Sequence, residues 1–112
     1  MEKFIYLFRG RDNDLQPNSP EAQAEMKKWF NWIDALNKSG NYVAGDPLAK
    51  NGKTVSGKKK AITDGPFVEA KEIVGGYLIV NAKDINDAVE LSKDCPVFDT
   101  DGKVEVRPIQ KM

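Results

Sequence analysis

The chain has 112 residues, enough for one ordinary domain with a single modest core, so one domain over residues 1–112 is expected. Its 17 basic and 17 acidic side chains cancel, which removes the overall field that would gather nucleic acid or an anionic membrane surface. A single cysteine and no histidine rule out an internal disulfide and most transition-metal sites, so no metal and no cofactor is expected and a reducing cytoplasm fits best.

Lys3 to Arg9 reads as the first strand, with Phe4, Tyr6 and Phe8 on one face and Ile5 and Leu7 on the other. This apolar stretch is too short for a signal peptide, and nowhere does an apolar run approach the roughly 20 residues that cross a bilayer. After a polar loop over Gly10–Pro17, Ser19 is a helix N-cap, Pro20 suits the first helical position and Glu21 complements the helix dipole. The helix presents Ala22, Met26, Trp29, Phe30, Ile33 and Leu36 as one apolar stripe, predicted to be core. Trp32 falls at the edge of that stripe, placed to line a pocket or a subunit contact, and Gly40 ends the helix.

Tyr42–Leu48 is expected as a second strand broken at Gly45-Asp46-Pro47, and Asn51-Gly52 predicts a two-residue hairpin into a third strand near Thr54–Gly57. Lys58, Lys59 and Lys60 read as a solvated edge that discourages strand pairing. Asp64-Gly65-Pro66-Phe67 is a turn in which proline fixes its own φ and glycine takes angles a β-carbon forbids. The following Ile73–Val80 is apolar on both faces, a central strand whose Gly75-Gly76 pair suggests a bulge or a close approach by ligand or backbone. Asp84 caps a second helix to about Lys93 with Ile85, Ala88 and Val89 inward; Cys95-Pro96 closes it, and Val104–Arg107 is the last strand. This order predicts an α+β fold, two helices on one face of an antiparallel sheet. Strands apolar on both faces ask for cover on the second face as well, for which another copy of the chain is the simplest source.

The polar residues such a sheet could gather are Tyr6, Arg9, Asp46, Asp64, Glu72, Tyr77 and Arg107. Asp64 either caps its turn or is a carboxylate held in a partly dry cleft for proton transfer, there helped by Asp46 and Tyr77, and Asp46 faces the same choice. Arg9 and Arg107 are ion-pair partners or clamps for an anionic ligand. Gly65, Phe67, Gly75 and Gly76 would shape the ligand's surroundings. Without histidine no nucleophile–base pair is visible, and Cys95 reads as a small buried hydrophobe.

The run TDGPFVEAKEIVGGYLIV, with Gly45-Asp46-Pro47-Leu48 before it and Val104–Ile109 after it, resembles the DGPF branch of the YCII-related family. The resemblance spans nearly the whole chain and implies a ferredoxin-like domain that pairs into a dimeric α+β barrel. Some relatives of this kind are encoded beside or fused to alternative sigma factors. One distant group dehalogenates with a histidine and an aspartate, chemistry that a chain without histidine does not inherit. Two functions stay open: a homodimer that binds a small organic molecule near the DGPF turn, with or without acid/base catalysis, and a non-catalytic regulatory module linked to sigma-factor-dependent transcription.

Overall fold

In the computed structural model, which describes residues 1–10, 18–65 and 72–112, the chain runs β1 (Glu2–Arg9), α1 (Pro20–Lys38), β2 (Tyr42–Pro47), β3 (Lys53–Ser56), β4 (Ala61–Asp64), β5 (Val74–Ala82), α2 (Ile85–Ser92) and β6 (Lys103–Pro108). A short 3₁₀ helix at Pro96–Thr100 precedes β6. Four strands form an antiparallel sheet in the order β2-β5-β1-β6, and β3 with β4 forms a separate two-stranded arm. This is the expected α+β, ferredoxin-like arrangement, with β1 and β5 in the middle.

Alternation along β1 decides which face is core. Phe4, Tyr6 and Phe8 are buried under the helices, and their register partners Val80, Leu78 and Gly76 on β5 share that face. Trp29, Trp32 and Leu36 from α1 and Ala88 from α2 pack onto the same layer, with Cys95 and Val97 closing it. Tyr6, Phe8, Trp29 and Trp32 form one aromatic cluster, Phe8 meeting Trp29 edge-on at 5.0 Å between ring centroids. Tyr6 is fully buried and its hydroxyl donates to the Ala88 carbonyl, tying β1 to α2.

Both helix starts follow the expected chemistry. Ser19 Oγ accepts from the Ala22 N–H at 3.1 Å ahead of Pro20, and Asp84 Oδ1 accepts from the Asp87 N–H at 2.8 Å. The stripe on α1 is rotated from the expected one, however. Trp32 belongs to the core and donates its indole N–H to the Leu91 carbonyl, whereas Met26 and Phe30 are 56% and 62% exposed. At about 100° per residue, Trp29, Trp32 and Leu36 share a flank that Met26 and Phe30 leave, so the buried arc is centred nearer Trp32. On α2, Ala88 is buried as expected, but Ser92 is its buried neighbour and Ile85 and Val89 are exposed.

Asn51-Gly52 does not make the predicted hairpin. β2 pairs with β5, not β3, and the hairpin turn lies later, at Gly57–Lys60, with φ of 74° at Gly57 and 55° at Lys60. The Gly52 carbonyl instead accepts from the Gly65 N–H at 2.7 Å, closing the base of the arm. The three lysines are exposed, as expected, but at the tip of this arm rather than along a sheet edge.

Candidate functional site

A cavity of about 300 Å³ lies where the N-terminal half of α1 overhangs the β2 edge of the sheet. Glycine makes the room. Along the helix-facing side, β5 carries Leu78 and Val80 under the rest of the helix but Gly76 here, and β2 carries Gly45. A β-carbon on Gly45 would stand 2.8 Å from the Tyr77 carbonyl oxygen, and one on Gly76 3.1 Å from that of Asp46. The floor therefore stays free of side chains, and Ala22, Met26, Trp29, Phe30 and Ile33 of α1 roof it, with Phe8 and Pro47 at the sides.

Its polar groups are few. Glu25 lines the roof, and its Oε1 is buried without a hydrogen-bond partner. Asp46 and Tyr77 border the cavity along the open edge of β2. They are cross-strand partners, and alternation sends their side chains to the face away from the helices. There the Tyr77 hydroxyl donates to Asp46 Oδ2 at 3.1 Å, and this bond, followed by the carboxylate's charge, pushes the Tyr77 phenol above its ordinary range. Among the described lining residues two are carboxylates and none is basic.

The other residues singled out from sequence lie elsewhere. Tyr6 sits in the core, its phenol pushed well up, first by burial and then by the charges of Asp87 and Cys95. Arg9 forks onto Glu105, at 3.2 Å from Nε and 3.1 Å from the second nitrogen, and donates to the Glu72 carbonyl at 2.6 Å. Arg107 reaches the same Glu105 at 3.9 Å on an open surface, and Glu72 accepts from Lys103 Nζ at 2.7 Å. Gly75 accepts the Leu48 N–H at 2.9 Å, which carries the β2–β5 pairing past Pro47.

Of the two roles open to Asp64, the described residues give no support to the dry cleft: its side chain is 90% exposed at the end of β4 and accepts from Lys53 Nζ at 2.7 Å. Gly65, with φ of 76°, holds the base of the arm, and neither residue lines the cavity. Phe67 lies outside the described residues.

The residue that sequence reasoning missed is Glu25. It stands four residues before Trp29 and seven before Trp32, squarely on the buried arc of α1. A lone carboxylate at that spacing from two core tryptophans is the signal that could have found it.

A family model described as the YCII-related domain matches residues 3–112. No curated protein sequence matches the chain. Among solved structures it is similar to 5-chloro-2-hydroxyhydroquinone dehydrochlorinase from Burkholderia phenoliruptrix AC1100 in complex with 2,5-dihydroxybenzoquinone, with 15% identity and a TM-score of 0.52 over 98% of this chain and 94% of that one.

Proposed function

The chain belongs to the YCII-related family, and we propose that it binds a small organic molecule in the cavity between α1 and the β2–β5 edge. The observation that carries this reading is the glycine floor at Gly45 and Gly76 under an apolar roof, which leaves about 300 Å³ unfilled where the rest of the sheet is packed. That volume lies at the lower end of the range for small-molecule sites, and apolar walls with a few polar groups are their usual lining. The dehydrochlorinase, solved with a single-ring quinone, makes a ring-sized ligand a reasonable first probe on this fold. Trp29 lines the cavity, so the tryptophan fluorescence of Trp29 and its neighbour Trp32 reports occupancy, and Trp32→Phe isolates the Trp29 part. A panel of single-ring and short aliphatic molecules should include some that raise the melting temperature and change that fluorescence, and Ala22→Phe, which fills the roof, should abolish both effects. A panel without one such molecule overturns the reading.

Asp46 and Tyr77, joined by a 3.1 Å hydrogen bond, are the acid/base pair we assign for a ligand group that passes the open β2 edge, since their side chains stand on the face away from the cavity. The raised phenol keeps its proton, so Tyr77 is the donor of the pair and Asp46 the acceptor. The run from Thr63 to Val80 supports the DGPF branch, and the single cysteine supports a cytoplasmic protein. Ile5, Leu7 and Ile79 on the face away from the helices stay half-exposed, which supports a homodimer that covers them. Light scattering at micromolar concentration should give twice the chain mass.

A further inference from the structure

We infer that the cavity takes a protonated organic amine with an apolar body, and that Glu25 is the residue that selects it. This rests on the cavity being a ligand site and adds the ligand's chemistry. The argument begins with a mismatch. Glu25 Oε1 is buried with no hydrogen-bond partner, on a helix face otherwise given to Trp29, Trp32 and Leu36. An unpartnered buried carboxylate oxygen is costly, and no described residue packed on α1 requires a charge there.

An ionised carboxylate only accepts, so whatever satisfies Glu25 has to donate. The described cavity lining supplies no basic side chain, and the Asp46 carboxylate is turned to the other face of the sheet. An anionic ligand meets the like charge of Glu25 and no basic side chain among the described lining residues. A neutral hydroxyl satisfies one acceptor weakly, and an ammonium satisfies it with a charge-assisted bond. The remaining walls suit the same ligand, because the aromatic rings of Phe8, Trp29 and Phe30 give apolar surface to its body. Glu25 is partly buried on α1, whereas Asp46 is exposed at the strand edge, so Glu25 sets the preference.

The test uses three probes of one shape on the whole chain: 2-phenylethylamine, 2-phenylethanol and phenylacetate, titrated against tryptophan fluorescence. The amine should bind about tenfold more tightly than the alcohol, a charge-assisted bond being roughly twice as strong as a neutral one, and phenylacetate more weakly than both. Glu25→Gln keeps the shape and should bring amine and alcohol to within about threefold of each other, by loss of the charge. The same variant should melt no lower than the wild type, since it removes an unsatisfied charge rather than a bond. Equal binding of amine and alcohol by the wild type, or an amine preference that survives Glu25→Gln, overturns the assignment while leaving the cavity as a ligand site. A Glu25→Gln variant that is clearly destabilised, with its probe preferences unchanged, also overturns it and makes Glu25 structural. Failure of all three probes and of the wider panel removes both readings together.

Discussion

Replacing Tyr6 with phenylalanine should destabilise the fold at neutral pH and cease to do so in alkali. The hydroxyl removed is fully buried and donates to the Ala88 carbonyl, so at pH 7 the variant loses one buried hydrogen bond, about 1 kcal/mol. In a domain of this size that is a fall of roughly 4 °C in melting temperature. The wild type carries a liability that phenylalanine lacks, since burial raises the folded phenol above the ordinary value of 10.0. A group with a raised folded pKa contributes its stability in full below the unfolded pKa and loses it as pH climbs from there towards the folded one. Above about pH 10 the wild type therefore loses stability at up to about 1.4 kcal/mol per pH unit from this one group. The curves should meet between about pH 10.5 and 11, where that loss equals the hydrogen bond. Tyr42 and Tyr77 are present in both proteins, so the difference isolates Tyr6. Urea melts at pH 7, 9, 10 and 11 measure it. A gap that stays constant from pH 7 to 11 would refute the reasoning, because the buried phenol would then not resist ionisation.

Gly102→Ala should cost about 1–3 kcal/mol, because its β-carbon would stand 2.5 Å from Val97 Cγ2 and 2.9 Å from the carbonyl oxygens of Arg9 and Val97. Gly52→Ala, with nothing within 4 Å, should stay within about 0.5 kcal/mol of wild type in the same thermal melts, and equal losses would contradict the packing argument. Gly65→Ala has open space but a φ of 76°, so it should weaken the β3–β4 arm by about 1–2 kcal/mol, read as faster amide exchange of Thr54 and Val55, while Lys59→Ala leaves that exchange unchanged. Asp46→Asn should bring the Tyr77 phenol back towards its ordinary range in an ultraviolet titration without lowering the melting temperature, and an unmoved titration would mean the hydrogen bond is not what raises it.

What could be read from sequence is what local chemistry controls. Ser19-Pro20 and Asp84 start their helices as their side chains dictate, and the alternation of Phe4, Tyr6 and Phe8 identifies the buried face of the central strand. Errors arose where a tertiary choice overrode a local preference. Asn51-Gly52 is a good hairpin turn, but β2 had a better partner in β5, so the turn signal went unused. The apolar stripe on α1 was wide enough to be rotated either way, and contact with Tyr6 and Phe8 selected the flank bearing Trp32. The candidate site was half legible. The glycine pair pointed to a close approach at the right strand, and Asp46 and Tyr77 do border the cavity. Glu25 escaped notice because a glutamate near a helix start reads as dipole chemistry, and only its spacing from two tryptophans, seen together with the sheet beneath, turns it inward.

The pairing of β1 fixes the order in which this fold can be completed. The domain's first strand lies between β5 and β6, with Phe4 opposite Pro108 and the Ile109 N–H donating to the Lys3 carbonyl at 2.9 Å. Its second neighbour is therefore the domain's last strand, and until that strand arrives β1 is an apolar strand with one open hydrogen-bonding edge. A nascent chain halted after β5 would contain every described residue that lines the cavity, yet lack α2 over its aromatic cluster and expose that edge to any other strand nearby. Strand β6 has no residue among the described cavity lining, and what it adds is the closure of that edge.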